Sequence, residues 1–273
     1  MLLGIDIGGT TINFGLVKGN EIWRRHTVPS FPAGATCEET LSYLSGNISH
    51  ILTPEVKRIG IGVPTLVDTA RGIVYNAANI ESWKEVHLKD HIERLFGIPV
   101  SVNNDANTFA LGAAAKVGCS DGIVVGITLG TGLGIGIVVD GRLMSGTNCG
   151  AGELCSVPYN GRDYEEFCSK KFFEARGWES RKAVEAAGNG DPAALEFFEE
   201  FGCHLGNLLT LVMYAYDPAH IVFGGGIAYT APCFRESMMR TLRSNYQYPH
   251  ALDSLSIHFM PGEEMALLGA SLL

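Results

Sequence analysis

Two stretches decide how this chain folds: Gly4-Ile5-Asp6-Ile7-Gly8-Gly9-Thr10-Thr11 and, in the middle of the sequence, Leu129-Gly130-Thr131-Gly132-Leu133-Gly134-Ile135-Gly136. In the first, an apolar run over residues 2–7 ends in an aspartate, a glycine pair and two hydroxyl residues, and residues 12–17 and 22–28 continue around Lys18-Gly19-Asn20. That pattern predicts a strand, a glycine turn and a hairpin. Glycines at Gly8 and Gly9 let main-chain N–H groups approach a phosphate, the hydroxyls of Thr10 and Thr11 add donors, and Asp6 can hold Mg2+ through water. A ligand-free tight hairpin uses the same Gly-Gly pair. The second stretch has the letters of a dinucleotide-binding motif, but alternating strand residues follow it where that motif needs an amphipathic helix. A hairpin phosphate loop at Gly130, Thr131 and Gly132 fits better.

Working outward, residues 35–52 carry Leu41, Leu44, Ile48 and Ile51 at helical spacing, 57–63 return to strand, 86–96 read as helix and 99–102 as strand. Asp105 is placed to cap a helix containing Phe109 and Leu111. The same order restarts at residue 122, with strands 122–129 and 133–139, so the chain reads as internally duplicated. A long helix carrying Leu195 to Tyr216 stops at Asp217-Pro218, because proline cannot continue it. Strand 221–223 then enters a third glycine run, Gly224-Gly225-Gly226, before helix 232–243, strand 255–260 and helix 263–272. Three glycine turns in two duplicated halves suggest a nucleotide clamped between lobes, in the manner of actin and Hsp70.

Composition narrows the function. With 46% hydrophobic residues over 273 positions, the sequence can bury a large core. A formal net charge of -9 disfavours sequence-independent nucleic-acid binding, which needs a positive surface. The start has no basic segment ahead of its apolar run, so it does not read as a secretory signal, and the uncharged stretch 122–139 is too diluted by glycine for a membrane span. Seven cysteines without CxxC spacing read as reduced thiols of a cytoplasmic protein.

The middle of the chain is more specific. Ile61-Gly62-Val63-Pro64, Ala78-Asn79-Ile80 with Trp83, Pro99-Val100-Ser101-Val102-Asn103-Asn104-Asp105-Ala106-Asn107 and Gly150-Ala151-Gly152-Glu153 occur in order. This series resembles the ROK family of sugar kinases over nearly the whole chain. The resemblance implies an α/β, two-lobed actin-like ATPase (ribonuclease H-like) fold, with duplicated lobes and a cleft between them. It divides the chain into an N-terminal lobe over 1–106, a C-terminal lobe over 107–262, and a final helix, 263–273, packing back on the first. It implies ATP-dependent phosphorylation of a hexose, with glucose and its 6-hydroxyl ahead of N-acetylmannosamine, and a homodimer. Asp105 would be the general base, and Asn79, Asn104, Glu153 and Glu165 would hold other sugar hydroxyls. Chemistry asks for the same base, since a neutral alcohol is a poor nucleophile until a carboxylate orients it and accepts its proton. The bland alternatives are a helix cap for Asp105 and solvated charges for Glu153 and Glu165.

Two departures stand out. Relatives follow the GAGE segment with a histidine and a zinc motif of three cysteines. Here Ser156 occupies the histidine position, facing the sugar in its place, and the interval to Glu165 has no room for the cysteines, so no structural zinc is expected. Thr65 replaces a glycine in the same region, and Ala113 a glutamate. Repressors of this family add an N-terminal helix-turn-helix, for which a phosphate loop beginning at Gly4 leaves no space. A non-catalytic sugar sensor is the remaining alternative.

Overall fold

The computed structural model describes residues 1–77 and 80–273. The chain forms two compact units: residues 1–120, 136–151 and 263–273 make the first, and residues 121–135 and 152–262 the second. The division falls inside one strand, so each unit takes chain from more than one part of the sequence.

The first unit begins with the expected hairpin: β1 (Leu2–Ile7), β2 (Thr11–Lys18) and β3 (Glu21–Pro29). Helix α1 (Cys37–Ile51) starts on a reciprocal cap, in which Thr36 Oγ1 accepts from Glu39 N and the Glu39 carboxylate accepts from Thr36 N. Next come β4 (Ile59–Val63) and three short strands, β5 (Val67–Asp68), β6 (Ile73–Tyr75) and β7 (Glu85–His87), which form a small antiparallel sheet. Helix α2 (Leu88–Phe96) ends at Gly97 in the left-handed conformation, and β8 (Val100–Asn104) leads into α3 (Asp105–Val117). The main sheet orders its strands β3-β2-β1-β4-β8, with β1, β4 and β8 parallel. One face of its parallel strands carries Leu3, Ile5, Ile7, Ile59, Ile61 and Val63, all fully buried, while Gly4 and Gly60 on the other face let the backbone of the last helix lie close.

In the second sheet β9 (Ile123–Leu129), β10 (Leu133–Val139) and β11 (Arg142–Leu143) repeat the opening hairpin. Within the second unit, β12 (Pro158–Tyr159) and β13 (Arg162–Asp163) form a tight hairpin over Asn160-Gly161, both left-handed. Three short helices follow, α4 (Tyr164–Cys168), α5 (Lys170–Ala175) and α6 (Ser180–Gly188), then the 25-residue α7 (Pro192–Tyr216). Strand β14 (His220–Gly224), α8 (Ala231–Asn245), α9 (Pro249–Ser254) and β15 (Ser256–Phe259) complete the order β11-β10-β9-β14-β15. Among the described residues no helix is long and apolar enough to cross a membrane.

The last helix, α10 (Glu264–Leu272), belongs to the first unit and packs against α3, β1 and β4. Small residues set how closely. A Cβ on Gly269 would lie 1.7 Å from Thr108 O, and one on Gly112 would lie 1.9 Å from Met265 O. Gly269→Ala is therefore expected to force the two helices apart at a cost of roughly 1–3 kcal/mol or more, because both contacts are with backbone. Thermal denaturation checks this; a melting temperature within about 1 °C of wild type would show that the crossing yields easily.

Candidate active site

Strand β1 carries Asp6 to the sheet's carboxyl edge, where Gly8 N donates to Thr11 O at 2.9 Å and closes the turn to β2. Ser30 braces the same turn, its Oγ donating to Gly8 O and its N to Thr10 O. Asp6 keeps some exposure, yet loss of hydration, then the carboxylates of Asp105 and Glu263, push its carboxyl up to about 7, opposed by a hydrogen bond with Asn13. Two other acidic side chains of the first unit therefore act on Asp6.

Asp105 is the first residue of α3, and the cap expected there is one residue earlier. Asn104 is the N-cap: its Oδ1 accepts from Ala106 N at 2.9 Å and Asn107 N at 3.3 Å. The Asp105 carboxylate accepts from Ala106 N at 2.8 Å, which fixes its direction without making it the cap. Asn104 also donates from Nδ2 to Thr65 O at 3.3 Å. Its expected role toward a sugar thus competes with two structural duties. Thr65 in turn donates from Oγ1 to Tyr75 O at 2.8 Å, tying the small sheet to the end of β4. Asn79 lies outside the described residues.

Asn103 and Glu263 carry weight that no local pattern signalled. Buried Asn103 Oδ1 accepts from Asn104 N at 2.8 Å, from Asn107 Nδ2 at 3.0 Å and from Cys149 Sγ at 3.4 Å. It fastens the start of α3 to the segment just before Gly150. An asparagine placed directly before Asn104 in a strand reading Val100-Ser101-Val102-Asn103-Asn104 is the one available hint for the first of them.

In the second unit, Gly130 N donates to Gly132 O at 3.0 Å and closes the turn between β9 and β10. A Cβ on Gly130 would meet only Gly132 O at 4.0 Å, and one on Gly226 would meet nothing. Neither glycine is demanded by a neighbour, which leaves their backbones open to close approach by a ligand. Gly225 differs: its φ is 81° and a Cβ would lie 2.3 Å from Leu129 O, so packing alone requires glycine there, directly after Gly224 ends β14. Glu153 and Ser156 are both exposed and are linked through Cys155, whose Sγ donates to Glu153 Oε2 at 3.4 Å and lies 3.7 Å from Ser156 Oγ. Burial pushes the Cys155 thiol up to about 11, which keeps the donor protonated. Glu165 is half-buried beside the turn of residues 130–132, its Oε2 accepting from Leu133 N.

Among the described residues no group of three His, Cys, Asp or Glu side chains converges closely enough to chelate a metal ion directly. A hard divalent cation would suit Asp6, whose carboxyl is poorly hydrated and feels the charge of two other carboxylates. It would be held through the cation's own water shell.

The architecture is the two-lobed, actin-like ATPase fold, with duplicated hairpin-led sheets. The ROK family model matches residues 2–273, and the chain belongs to the ROK family. It is 31% identical over 268 residues to a glucokinase of Halalkalibacterium halodurans, covering 83% of this chain and 80% of that protein. An N-acetyl-D-glucosamine kinase of Yersinia enterocolitica is 30% identical over 275 residues, covering 84% of each. Among solved structures, a ROK glucokinase from Streptomyces griseus in complex with glucose and AMPPNP superposes with a TM-score of 0.80 at 27% identity, over 99% of this chain and 97% of that one.

Proposed function

We propose that this protein transfers the γ-phosphate of ATP to the 6-hydroxyl of a glucose-type hexose, with Asp105 as general base. The broader statement rests on its kin: the protein is an ATP-dependent sugar kinase of the ROK family. The observation that carries the finer reading is Asp105 at the head of α3, aimed by Ala106 N and electrostatically coupled to Asp6.

In this reading Asp105 accepts the hydroxyl proton as the P–O bond forms, which makes the sugar oxygen a competent nucleophile. Mg2+, when bound with ATP, neutralises charge on the phosphate oxygens. Asp6 would hold that ion through one of its waters, and residues 8–11 offer backbone and hydroxyl donors. In the second unit, Gly130, Thr131 and Gly132 approach phosphate oxygens through main chain, as does Gly226 beyond its packing-fixed neighbour Gly225. Glu153 and Ser156, exposed on one short turn, together with Asn79, Asn104 and Glu165, are assigned to the other sugar hydroxyls.

Glucose heads the list because glucokinases recur among the relatives, but N-acetylhexosamine kinases match nearly as well. Side-by-side kinetics with MgATP on glucose, mannose, N-acetylglucosamine and N-acetylmannosamine test the choice, with the phosphorylated position located by NMR of the product. The proposal expects the highest kcat/KM on glucose and phosphate on the 6-oxygen. Preference for an N-acetylated sugar, or phosphate on another oxygen, would replace the substrate assignment.

A further inference from the structure

The hairpin of β12 and β13 lies between the exposed turn of Glu153 and Ser156 and helix α4, which carries Glu165, and one ring on it reaches both α4 and α7. Tyr159 stacks on Tyr164 with ring centroids 4.3 Å apart and planes 10° from parallel, and it meets Phe167 edge-on at 5.4 Å. Those two rings flank Glu165 in Tyr164-Glu165-Glu166-Phe167. Phe167 in turn lies against His204 of α7 with centroids 4.7 Å apart, and Phe172 meets the same imidazole at 5.3 Å. Helix α4 packs both on α7 and on the turn of residues 154–156.

A polar chain runs through the same rings. Tyr159 Oη lies 3.0 Å from His204 Nδ1, and His204 Nε2 lies 3.5 Å from Glu200 Oε1. A carboxylate only accepts, so Nε2 carries the imidazole hydrogen and Nδ1 accepts from the tyrosine hydroxyl. Arg176 closes the chain, donating to both oxygens of Glu200 and lying over the Phe172 ring at 4.0 Å. Burial pushes the Tyr159 hydroxyl up to about 12 and holds His204 below the ordinary imidazole range, so the donor keeps its proton and the acceptor stays neutral. His204 shares a buried stripe of α7 with Phe197, Phe201 and Leu208, where an imidazole is costly unless its nitrogens are satisfied.

We propose that Tyr159 and His204 are positioning residues for the sugar: the ring stack and the Tyr159–His204 bond lock α4 to α7 and so hold Glu165 where a sugar hydroxyl meets it. Glu165 has two neighbours, Leu133 N on Oε2 at 3.2 Å and Lys171 Nζ on Oε1 at 2.5 Å. A carboxylate offers about four acceptor sites, so this half-buried one can still take a hydroxyl. Recognition of several hydroxyls at once tolerates little displacement of any one partner, which is what a rigid mount supplies. The hairpin spans the interval that has no room for a zinc motif, and there the tie is made by stacked rings and a hydrogen bond. The inference rests on the reading that Glu165 holds a sugar hydroxyl.

The test measures affinity for glucose, with N-acetylglucosamine beside it, and for ADP, by calorimetry on wild type and on variants at 159, 165 and 204. Tyr159→Leu should weaken the sugar ~10-fold and leave ADP within about 3-fold. Tyr159→Phe keeps the stack and loses only the hydroxyl, so it should weaken the sugar ~3-fold. His204→Asn, whose amide oxygen can stand in for Nδ1, should be milder than His204→Leu. Glu165→Ala should itself weaken the sugar ~10-fold or more, and on that background Tyr159→Leu should cost less than about 2-fold further, because the carboxylate it positions is gone. A residue that only holds the fold together would weaken the sugar equally with and without Glu165.

Equal losses on the two backgrounds, a Tyr159→Leu protein that binds sugar as wild type does, or a matching loss of ADP would each overturn the proposal while leaving Glu165 at the sugar. Sugar affinity unchanged by Glu165→Ala, or a wild type that binds neither sugar, would instead remove the reading on which the proposal stands, and the proposal with it. Should Tyr159→Leu fold poorly, Tyr159→Phe on the same two backgrounds carries the comparison.

Discussion

Asp6→Asn is expected to give a protein that melts at a higher temperature without ligand and has lost phosphotransfer. Desolvation and the neighbouring carboxylates of Asp105 and Glu263 push the Asp6 carboxyl from 3.8 up to about 7. A carboxyl pKa raised by folding costs stability wherever the unfolded chain is ionised, by about 1.4 kcal/mol per unit. The penalty is absent below pH 3.8, grows as pH rises toward 7 and is constant above. Asparagine removes the charge and can still bond to Asn13. The melting temperature should therefore rise by ~5 °C or more near neutral pH, the gap narrowing as pH falls toward 4. Activity should fall at least ~100-fold, because the lost carboxylate orients the cation that neutralises the phosphates. Melting curves across pH and a coupled ADP assay check both halves. An unchanged melting temperature, or retained turnover, would detach Asp6 from this role. Such a trade of stability for function is the usual mark of a site kept unfavourable in the free protein.

Asp105→Asn should lower kcat by roughly 100-fold to 10,000-fold while sugar affinity holds within a few-fold. The amide keeps the shape and can hold a hydroxyl but cannot take its proton. Because Asn104, and not Asp105, caps α3, the substitution should leave the fold intact, which makes the kinetic loss interpretable. Stopped assays for turnover and calorimetry for sugar binding separate the two quantities. Turnover within a few-fold of wild type would remove Asp105 as base.

How far the sequence led depended on whether a signal was local. The hairpin of residues 2–28 is punctuated by Gly8-Gly9 and Lys18-Gly19-Asn20, so its strands emerge within a residue or two of β1, β2 and β3. The long helix up to Asp217-Pro218 was equally plain, since apolar residues repeat along α7 and proline marks its stop. Strands β5, β6 and β7 were not legible because two or three residues carry no period. Helices α4 and α5, of five and six residues, escaped for the same reason, although Asp163 and Ser169 have the side chains of N-caps.

At the site, residue identity was readable and partnership was not. Asn104 and Asp105 are both good capping types, and only the backbone shows that the first of them caps the helix. Glu165 reaches Leu133 across 32 positions, a contact that no spacing rule encodes. Glu263 was legible only as the start of a last helix, and its influence on Asp6 comes from where that helix packs.

The most direct test of the central claim is ADP release by the purified protein with MgATP, in the presence and absence of glucose, beside calorimetry of glucose alone. The account predicts ADP formed in step with sugar phosphate, near the background rate without sugar, and abolished by Asp105→Asn. Glucose binding without ADP release above background, from a protein that also binds ADP, would contradict it and make the chain a sugar sensor on a kinase fold.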